Sequence, residues 1–393
     1  MPIDIGAVQR ALQAEGIDAW LLYDFQGSNP VSYRLAGMGG GGHLATRRWF
    51  YLIPQAGEPR ALVHAIERHN LDHLPGEKIV YAGHTQLHGG LARLLSGVKR
   101  VAMEYSPQCA IPYVSRVDAG TIELVRSVGA DVVSSGDLIQ QFEARWSDAA
   151  IATHRTAAEK LYRIKDKAFE EVSRRLRDKM ATTEYDIQQK MVGWFTEEGL
   201  VAESAPNVSA QENAGNPHYL PTAAEHRLIR ENELVLLDLW GKLRQPGAVY
   251  ADITWIGFTG PTVPDRMTQA FAAICGARDA AVTAVEEAAA AGREIRGFEA
   301  DKAARRVLIE AGYEDAILHR TGHSLGENVH GNGAHLDDYE THDERRLMPG
   351  SGFTIEPGLY FKDFGVRTEI NMVWTATGPE VTGPRQKAIL SLS

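Results

Sequence analysis

One order of elements occurs twice in the second half of this chain. A helix that ends at a glycine is followed by a pair of apolar strands that each carry an acid. In the first copy the predicted helix begins at Tyr185 and ends at Gly199, fourteen residues later. In the second copy it begins at Phe298 and ends at Gly312, the same number of residues apart. A long helix is predicted before each copy, over 150–178 and 264–291. The repeated order of elements predicts two halves related by an approximate two-fold axis.

Both strand pairs place carboxylates in apolar surroundings. The first pair carries Asp238 and Asp252, and the second carries Glu356 and Glu369. A buried carboxylate is costly unless it is paired or bound to a cation, and four at mirrored positions would also repel one another. We therefore expect the four acids to hold cations. The predicted strands are 234–240, 250–255, 352–358 and 366–371.

The segment 319–330 carries three histidines, His319, His323 and His330, and two glycines. That density favours metal ligation or proton transfer over a surface role. Four carboxylates and one imidazole form an oxygen-rich donor set, which suits Mn²⁺, Co²⁺ or Fe²⁺ at least as well as Zn²⁺. Two ions in such a set would lie about 3.5–4 Å apart and hold a bridging hydroxide at neutral pH.

The first part of the chain alternates short apolar runs with helical patterns, which predicts an α/β domain over 1–150. The second domain is expected over 151–393, beginning in a long amphipathic helix. The glycine run 39–42 is predicted to be a loop, because a phosphate cradle would need glycines spaced between a strand and a helix.

Charge and composition exclude several classes of partner. The chain has 41 basic and 51 acidic residues, a net charge of −10, so neither nucleic acid nor an anionic membrane is expected to bind it. No uncharged apolar stretch approaches the ~20 residues of a membrane span, and the N-terminal sequence lacks the pattern of a signal peptide. Two cysteines in 393 residues fit a reducing compartment. We therefore expect a cytoplasmic protein.

Five motifs carry the predicted ligands in order along the chain. They are Leu-Leu-Asp-Leu around Asp238, Asp-Ile-Thr from Asp252, Thr-Gly-His-Ser-Leu-Gly around His323, Thr-Ile-Glu-Pro-Gly around Glu356 and Gly-Val-Arg-Thr-Glu ending at Glu369. Together they resemble the metallopeptidases of the pita-bread fold, in the proline-specific branch of Xaa-Pro dipeptidases (prolidases) and Xaa-Pro aminopeptidases. The resemblance implies an α/β N-terminal creatinase-like domain, an α+β pita-bread catalytic domain with an internal pseudo-two-fold repeat, and a homodimer.

The resemblance also implies a role for each predicted ligand. Asp238 would bind one ion, whereas Asp252 and Glu369 would bridge both ions. His323 and Glu356 would bind the second ion, and Glu356 would also shuttle the proton of the attacking hydroxide. Mn²⁺ is the expected metal, with Co²⁺, Fe²⁺ and Zn²⁺ as alternatives.

Further residues are expected around the ligands. His330 and His218 match the family's substrate-contacting histidines, and Arg367 is expected to orient Glu369 or to meet the substrate. A cationic group for the free carboxylate of a dipeptide is expected at His218 or within the segment 342–346, which begins with His342. Thr254 and His319 are expected to support the ligands.

The activity expected from this resemblance is metal-dependent hydrolysis of the Xaa-Pro bond of dipeptides. The alternatives are an Xaa-Pro aminopeptidase acting on longer peptides and a non-peptide metallohydrolase or lyase on the same fold. A creatinase-type enzyme and a non-catalytic scaffold are disfavoured because all five ligands are present. Two departures, Trp255 in place of an arginine and the small polar segment 203–207, are expected to alter the substrate pocket.

Overall fold

The computed structural model describes residues 3–38 and 45–393, so the glycine run 39–42 lies outside the described residues. The chain divides into two compact units, Met1–Glu143 and Ala144–Ser393. Trp146 and Ile151 pack with Tyr250 and Val373, which places the start of the second unit a few residues before the predicted boundary at 150.

The first unit is an α/β sandwich around a mixed sheet. The sheet order is β4-β3-β2-β1-β5-β6, with β1 parallel to β5 and antiparallel to β2. Because successive side chains of a strand point to opposite faces, Trp20 packs on one side of the sheet and Leu21 on the other. The strands are β1 (Ala19–Asp24), β2 (Trp49–Pro54), β3 (Arg60–His64), β4 (Glu77–Tyr81), β5 (Arg100–Met103) and β6 (Asp131–Ser134). The helices are α1 (Ile5–Glu15), α2 (Pro30–Leu35), α3 (His84–Leu94), α4 (Ala119–Ser127) and α5 (Gly136–Ile139).

The second unit contains the repeated helices. Both short helices of the repeat, α7 and α9, begin with a carboxylate in their first turn that accepts a hydrogen bond from the backbone before the helix. Asp186 accepts from the Thr183 N–H at 3.0 Å and Glu299 from the Arg296 N–H at 2.8 Å. The helices are α6 (Asp148–Arg177), α7 (Glu184–Glu197), α8 (Asp265–Ala290) and α9 (Gly297–Glu310). Within the described ranges, no helix combines the length and the apolar composition that crossing a bilayer requires.

The strands of the second unit form separate small sheets. One has the order β17-β10-β9-β7, with β8 also pairing with β9, another has the order β11-β12-β15-β16, and β13 pairs with β14. The strands are β7 (Leu200–Val201), β8 (Asn207–Ala210), β9 (Leu234–Leu243), β10 (Ala251–Phe258), β11 (Ser324–Leu325), β12 (Gly352–Ile355), β13 (Gly358–Tyr360), β14 (Gly365–Arg367), β15 (Ile370–Thr375), β16 (Gly378–Val381) and β17 (Leu390–Ser391).

The second acid-bearing strand pair differs from the predicted hairpin. β12 ends at Ile355, one residue before Glu356, and β15 begins at Ile370, one residue after Glu369. Pro357 cannot donate a ladder hydrogen bond, so the chain leaves the β12 ladder there and starts a separate pairing between β13 and β14. Both acids therefore lie at a break between strands, side by side beyond the last paired residues Ile355 and Ile370.

Candidate metal centre

The first two predicted ligands come from the β9–β10 hairpin. Thr254 of β10 is paired with Asp238 of β9, and Asp252 lies two residues earlier in β10. Because strand side chains alternate, Asp252 and Thr254 share one face of the sheet with Asp238, and Trp255 points to the other face. The hairpin thus presents both aspartates to the same side.

The two halves of the repeat join at this site through main-chain contacts. The Glu369 N–H donates to the Thr254 carbonyl at 3.2 Å. The Asp252 N–H donates to Oδ1 of Asn371 at 3.0 Å, so the residue two positions after Glu369 fixes the backbone of Asp252. These contacts hold Asp252 and Glu369, one from each half, next to one another.

His323 is held against the end of β12. Its N–H donates to the Thr354 hydroxyl at 2.9 Å, and its carbonyl accepts from the Thr354 N–H at 2.8 Å. A Cβ at Gly322 would lie 2.1 Å from the Thr354 carbonyl oxygen, so this approach requires glycine. The ring Nδ1 lies 3.1 Å from the Ser324 carbonyl, which leaves Nε2 facing Glu356 Oε1 at 3.4 Å and Asp252 Oδ2 at 3.7 Å.

The structure brings three of the five predicted ligands into one group. Asp252, His323 and Glu369 are buried and each offers a ligand atom within 4.8 Å of the others. Oδ1 of Asp252 and Oε1 of Glu369 are buried and accept no hydrogen bond from any described residue. Buried carboxylate oxygens without donors are costly, and a divalent cation would satisfy them. The residues present therefore fit a metal ion.

A second buried acid in the same chain shows what a carboxylate without a metal looks like. Glu104 in the first unit is fully buried, and it accepts hydrogen bonds from Trp20 Nε1 at 2.8 Å, Asn29 Nδ2 at 2.7 Å and Ser32 Oγ at 2.6 Å. Neutral donors thus satisfy both of its oxygens. Asp252 and Glu369 have no comparable set of donors among the described residues.

The pKa values of the buried acids also favour a bound cation. Burial and the charges of Asp238 and Glu356 raise the pKa of Asp252 well above its ordinary value. Burial and the charge of Asp252 raise the pKa of Glu369 in the same direction. Acids that repel one another in a buried site gain from a shared cation, which reverses both effects.

The remaining two predicted ligands border this group. Glu356 adjoins His323, and its Oε1 accepts from the Thr354 hydroxyl at 3.1 Å. Asp238 lies next to the Thr254 hydroxyl at 3.3 Å and is ion-paired with the Arg367 guanidinium. Arg367 therefore orients Asp238, rather than the Glu369 expected from the sequence.

A chain of hydrogen bonds extends from Arg367 to the predicted support residue His319. Arg367 donates to the Thr254 hydroxyl at 3.0 Å and to the Tyr360 hydroxyl at 3.2 Å. His319 lies 2.6 Å from the Arg320 carbonyl through Nδ1 and 2.6 Å from the Tyr360 hydroxyl through Nε2, so Tyr360 donates to the ring. Tyr360 was not among the predicted residues, because it lies two residues beyond the end of the Thr-Ile-Glu-Pro-Gly motif.

The site opens into a cavity of about 570 Å³. The cavity is lined by the five predicted ligands and by four other predicted residues, His218, His319, His330 and Arg367. The buried Thr254 lies behind the ligands. The lining also includes residues that sequence analysis missed, among them Arg320, Glu340 and Trp240. Arg320 lies within the histidine-rich segment, which was the one signal that could have identified it.

One predicted substrate residue lies elsewhere. The His342 ring packs on Phe298, with centroids 4.4 Å apart, and Nδ1 lies 2.6 Å from Asp338 Oδ1. It is absent from the lining of the active-site cavity in the part of the chain that the structure describes. The local carboxylate and the aromatic ring hold His342 in place, so the expectation that it binds substrate is wrong.

The two sequence departures have different outcomes. Trp255 is buried on the far face of β10 and packs in the core with Tyr162 and Leu161, so the expectation that it alters the pocket is wrong. Strand alternation explains this result, because Trp255 is adjacent to the inward-facing Thr254. Ser204 and Asn207, from the small polar segment, do line the cavity.

Comparison with known proteins identifies the family. A model of metallopeptidase family M24 matches residues 156–376. The chain is 34% identical to an Xaa-Pro dipeptidase of Lactobacillus helveticus over 184 residues, which cover 46% of this chain and 45% of that protein. It is 29% identical to a probable dipeptidase PepE of Mycobacterium tuberculosis, over 50% of this chain and 48% of that protein. The chain thus spans about half the length of these curated relatives.

Solved structures share the whole fold. Dipeptidase PepE from Mycobacterium ulcerans superimposes with a TM-score of 0.66 at 22% identity, covering 99% of this chain and 96% of that one. A prolidase from Thermococcus sibiricus gives a TM-score of 0.60 at 20% identity, covering 98% of each chain. These likenesses confirm the predicted fold class. Since the family model spans more than half of the sequence, the chain belongs to metallopeptidase family M24.

Proposed function

We propose that this protein is a metal-dependent peptidase that hydrolyses the Xaa-Pro bond of dipeptides. The observation that carries the proposal is the buried group Asp252, His323 and Glu369, with its carboxylate oxygens that lack donors, at the floor of a cavity large enough for a dipeptide. The substrate class is supported by the relatives named Xaa-Pro dipeptidase, which are similar to this chain over 46% and 44% of its length.

The proposed ligands are the four acids and the one imidazole predicted from the motifs. In this proposal Asp238 would hold one ion, His323 and Glu356 would hold the other, and Asp252 and Glu369 would be shared by both. Two divalent ions, when bound, supply Lewis acidity toward the scissile carbonyl and lower the pKa of a water molecule. An Xaa-Pro bond has no amide N–H, so the enzyme has to act on the carbonyl side of the bond.

The chain's own residues move the proton and hold the substrate in this proposal. Glu356 accepts the proton of the attacking water on a carboxylate oxygen and passes it to the proline nitrogen as the bond breaks. His330 lines the cavity with its ring 4.4 Å from that of His323. Loss of solvent around its ring and the charge of His323 lower the pKa of His330 to about 4, so it is neutral at pH 7 and can donate to the carbonyl oxygen. His218, exposed at the cavity wall, contacts the substrate.

The test is activity of the metal-stripped protein after addition of Mn²⁺, Co²⁺ or Zn²⁺, on an Xaa-Pro dipeptide and on a tripeptide that begins with Xaa-Pro. We expect cleavage of the dipeptide with at least one metal and little cleavage of the tripeptide. A preference for the tripeptide would identify an aminopeptidase instead, and no cleavage of either peptide with any metal would overturn the proposal. Mn²⁺ as the native metal, a homodimer and a cytoplasmic location are part of the same proposal.

A further inference from the structure

Glu184, the first residue of α7, is a fully buried carboxylate that the proposed mechanism does not use. Four groups donate hydrogen bonds to it: the Ala210 N–H at 2.6 Å, the Arg227 N–H at 2.9 Å, the Asn213 amide at 3.0 Å and the Tyr219 hydroxyl. All four donors are neutral. Burial of a charge is costly without such donors, so this carboxylate and the groups around it form one connected network.

The helix itself does not require this acid. Thr183 and Asp186 already cap the N-terminus of α7, and the side chain of each accepts from the backbone N–H of the other at 3.0 Å. In the second copy of the repeat, Gly297 of α9 stands at the position of Glu184, and a Cβ there would lie 1.8 Å from the His335 carbonyl oxygen. A helix of the repeat therefore forms without a side chain at this position, and the bonds of Glu184 serve the segments that it contacts.

One of these segments forms a wall of the active-site cavity. Tyr219 belongs to four consecutive residues, 217–220, that line the cavity and that we call the wall segment. His218, which is proposed above to contact the substrate, is the residue before Tyr219. Glu184 is thus one hydrogen bond away from the wall segment and does not itself line the cavity among the described residues.

The wall segment has little regular structure to hold it in place. Residues 216–227 are all described, and no helix or strand lies among them. The Tyr219 N–H donates to the Asn216 carbonyl and the His218 N–H to Oδ1 of Asn216, both at 3.0 Å, so these bonds are local. Within the described chain, the Tyr219 hydroxyl makes the hydrogen bonds that join 217–220 to more distant residues. Burial and the bond to Glu184 raise the pKa of this hydroxyl, so it stays protonated and remains a donor.

Glu184 also closes the base of the loop that carries the wall segment. The N–H groups of Ala210 and Arg227, at the two ends of this loop, donate to the same carboxylate. The Arg227 guanidinium donates to the Ala210 carbonyl at 3.0 Å, which joins the two ends directly. One carboxylate therefore fixes the loop at its base and near its middle, at Tyr219.

We propose that Glu184 is a positioning residue that fixes the wall segment for substrate binding through the Tyr219 hydroxyl. The inference rests on the proposed function and goes beyond it, because it assigns part of the affinity for the dipeptide to a buried acid that touches neither the proposed metal ligands nor the substrate. A wall that is already in position loses little entropy when the substrate binds.

The experiment uses Tyr219→Phe, which removes the hydroxyl and keeps the ring in the wall. With the full-length protein, added Mn²⁺ and an Xaa-Pro dipeptide, we expect KM to rise about 5- to 50-fold, below the ~100-fold that a displacement of about 1 Å can cost. The turnover number kcat should stay within about twofold, because the residues that perform the chemistry are unchanged. Calorimetric titration with Mn²⁺ should give the wild-type affinity within about twofold.

A double-mutant cycle tests the link between the two residues. Glu184→Gln turns an amide NH₂ toward hydrogen-bond donors, and it should raise KM at least as much as Tyr219→Phe does. Adding Tyr219→Phe to Glu184→Gln should raise KM by less than about a further twofold, because the hydroxyl has already lost its acceptor. Independent effects of the two changes, which multiply in KM, would overturn the inference.

Glu171→Gln is the matched control for loss of a carboxylate with several partners. Glu171 of α6 pairs with Arg174, Arg175 and Lys190, none of which is among the described residues that line the cavity. This variant should be less stable than wild type and keep KM within about twofold. A rise in KM equal to that of Glu184→Gln would show a general effect of lost stability and would overturn the inference.

Hydrogen exchange separates this inference from the proposed function, because it requires no activity. In Tyr219→Phe, mass spectrometry should show exchange at least about tenfold faster in peptides that cover 216–226, with β9 and β10 unchanged. An unchanged KM in Tyr219→Phe would overturn the inference. If wild type cleaves no Xaa-Pro peptide, the proposed function fails, and exchange over 216–226 still decides whether Glu184 and Tyr219 fix the wall segment.

Discussion

Thr254 and Glu369 are joined twice: the Thr254 hydroxyl donates to Glu369 Oε2 at 2.7 Å, and the Thr254 carbonyl accepts from the Glu369 N–H at 3.2 Å. One residue comes from each half of the internal repeat. The side-chain bond occupies one oxygen of Glu369 and leaves Oε1, the oxygen without a donor, for a cation. Thr254 therefore sets the orientation of a proposed bridging ligand.

The first prediction removes this hydroxyl. Thr254→Val keeps the shape of the side chain and its packing, and we expect metal affinity to fall by about 10- to 100-fold because Glu369 and Arg367 lose a shared partner. Calorimetric titration of the metal-free protein with Mn²⁺ measures the change. Thr254→Ser retains the hydroxyl and should bind within about threefold of wild type. Equal affinity in the valine and serine variants would show that the hydroxyl does not position Glu369.

The second prediction concerns the charge of the metal-free site. Asp252→Asn should raise the free energy of unfolding of the metal-free protein by about 1 kcal/mol or more, because the buried carboxylate has an oxygen without a donor and is repelled by Asp238. The same change should abolish the stabilisation by Mn²⁺, which in wild type reaches about 2.7 kcal/mol at one hundred times Kd. Chemical denaturation with and without Mn²⁺ measures both effects.

Glu104→Gln is the control for that prediction. It makes the same change of acid to amide at a buried position, but there the carboxylate accepts bonds from Trp20, Asn29 and Ser32. An amide NH₂ facing those donors should lower the free energy of unfolding by about 1–3 kcal/mol. If Asp252→Asn lowered the free energy of unfolding of the metal-free protein as Glu104→Gln does, the carboxylate of Asp252 would not be destabilising without a metal, and the prediction would be wrong.

Much of this site was predictable because its residues lie in local patterns. The acids of β9 and β10 stand out in an apolar strand pair, and the structure pairs Thr254 with Asp238 as the hairpin requires. The break at Pro357 was harder to predict, since 352–358 looks like one continuous strand until the partner strands are known. The position of His342 depends on Phe298, more than forty residues away, and no sequence pattern links the two.

The prediction for Trp255 could have been corrected from the alternation of side chains along β10 alone. Asp252 and Thr254 face the cavity, so their neighbour Trp255 had to face the core. Arg320 shows the opposite case. It lies between the predicted site residues His319 and His323, but its place in the histidine-rich segment was the one sequence signal, and the cavity lining is what identifies it.

The third prediction tests the position of Trp255. Trp255→Leu should lower the free energy of unfolding by about 2–4 kcal/mol, because it leaves a gap in the core and removes the ring beneath the buried Lys165 ammonium, 3.9 Å from the ring centroid. KM for an Xaa-Pro dipeptide should stay within about twofold. Denaturant unfolding and steady-state kinetics check the two parts. Trp240→Leu, at a cavity-lining tryptophan on β9, should instead raise KM. A change in KM for Trp255→Leu larger than that for Trp240→Leu would contradict this assignment.

The last prediction concerns pH. His154 is fully buried on α6, its Nδ1 donates to the Tyr250 carbonyl at 2.8 Å, and burial lowers its pKa to about 4. Between pH 6.5 and 4 the unfolded chain takes up a proton at this histidine and the folded chain does not, so the free energy of unfolding falls as pH falls, by up to about 3 kcal/mol. Above pH 6.5 His154 is neutral in both the folded and the unfolded chain, so it no longer contributes to the pH dependence of the free energy of unfolding.

His154→Asn isolates this contribution, since an asparagine amide can donate to the same carbonyl and does not titrate. Plots of the free energy of unfolding against pH should be flatter for His154→Asn than for wild type between pH 6.5 and 4.5, with urea denaturation at each pH as the measurement. Other buried histidines titrate in both proteins, so only the difference between the two slopes is attributed to His154. Parallel curves for wild type and His154→Asn would mean that His154 takes up its proton in the folded protein as readily as in the unfolded chain.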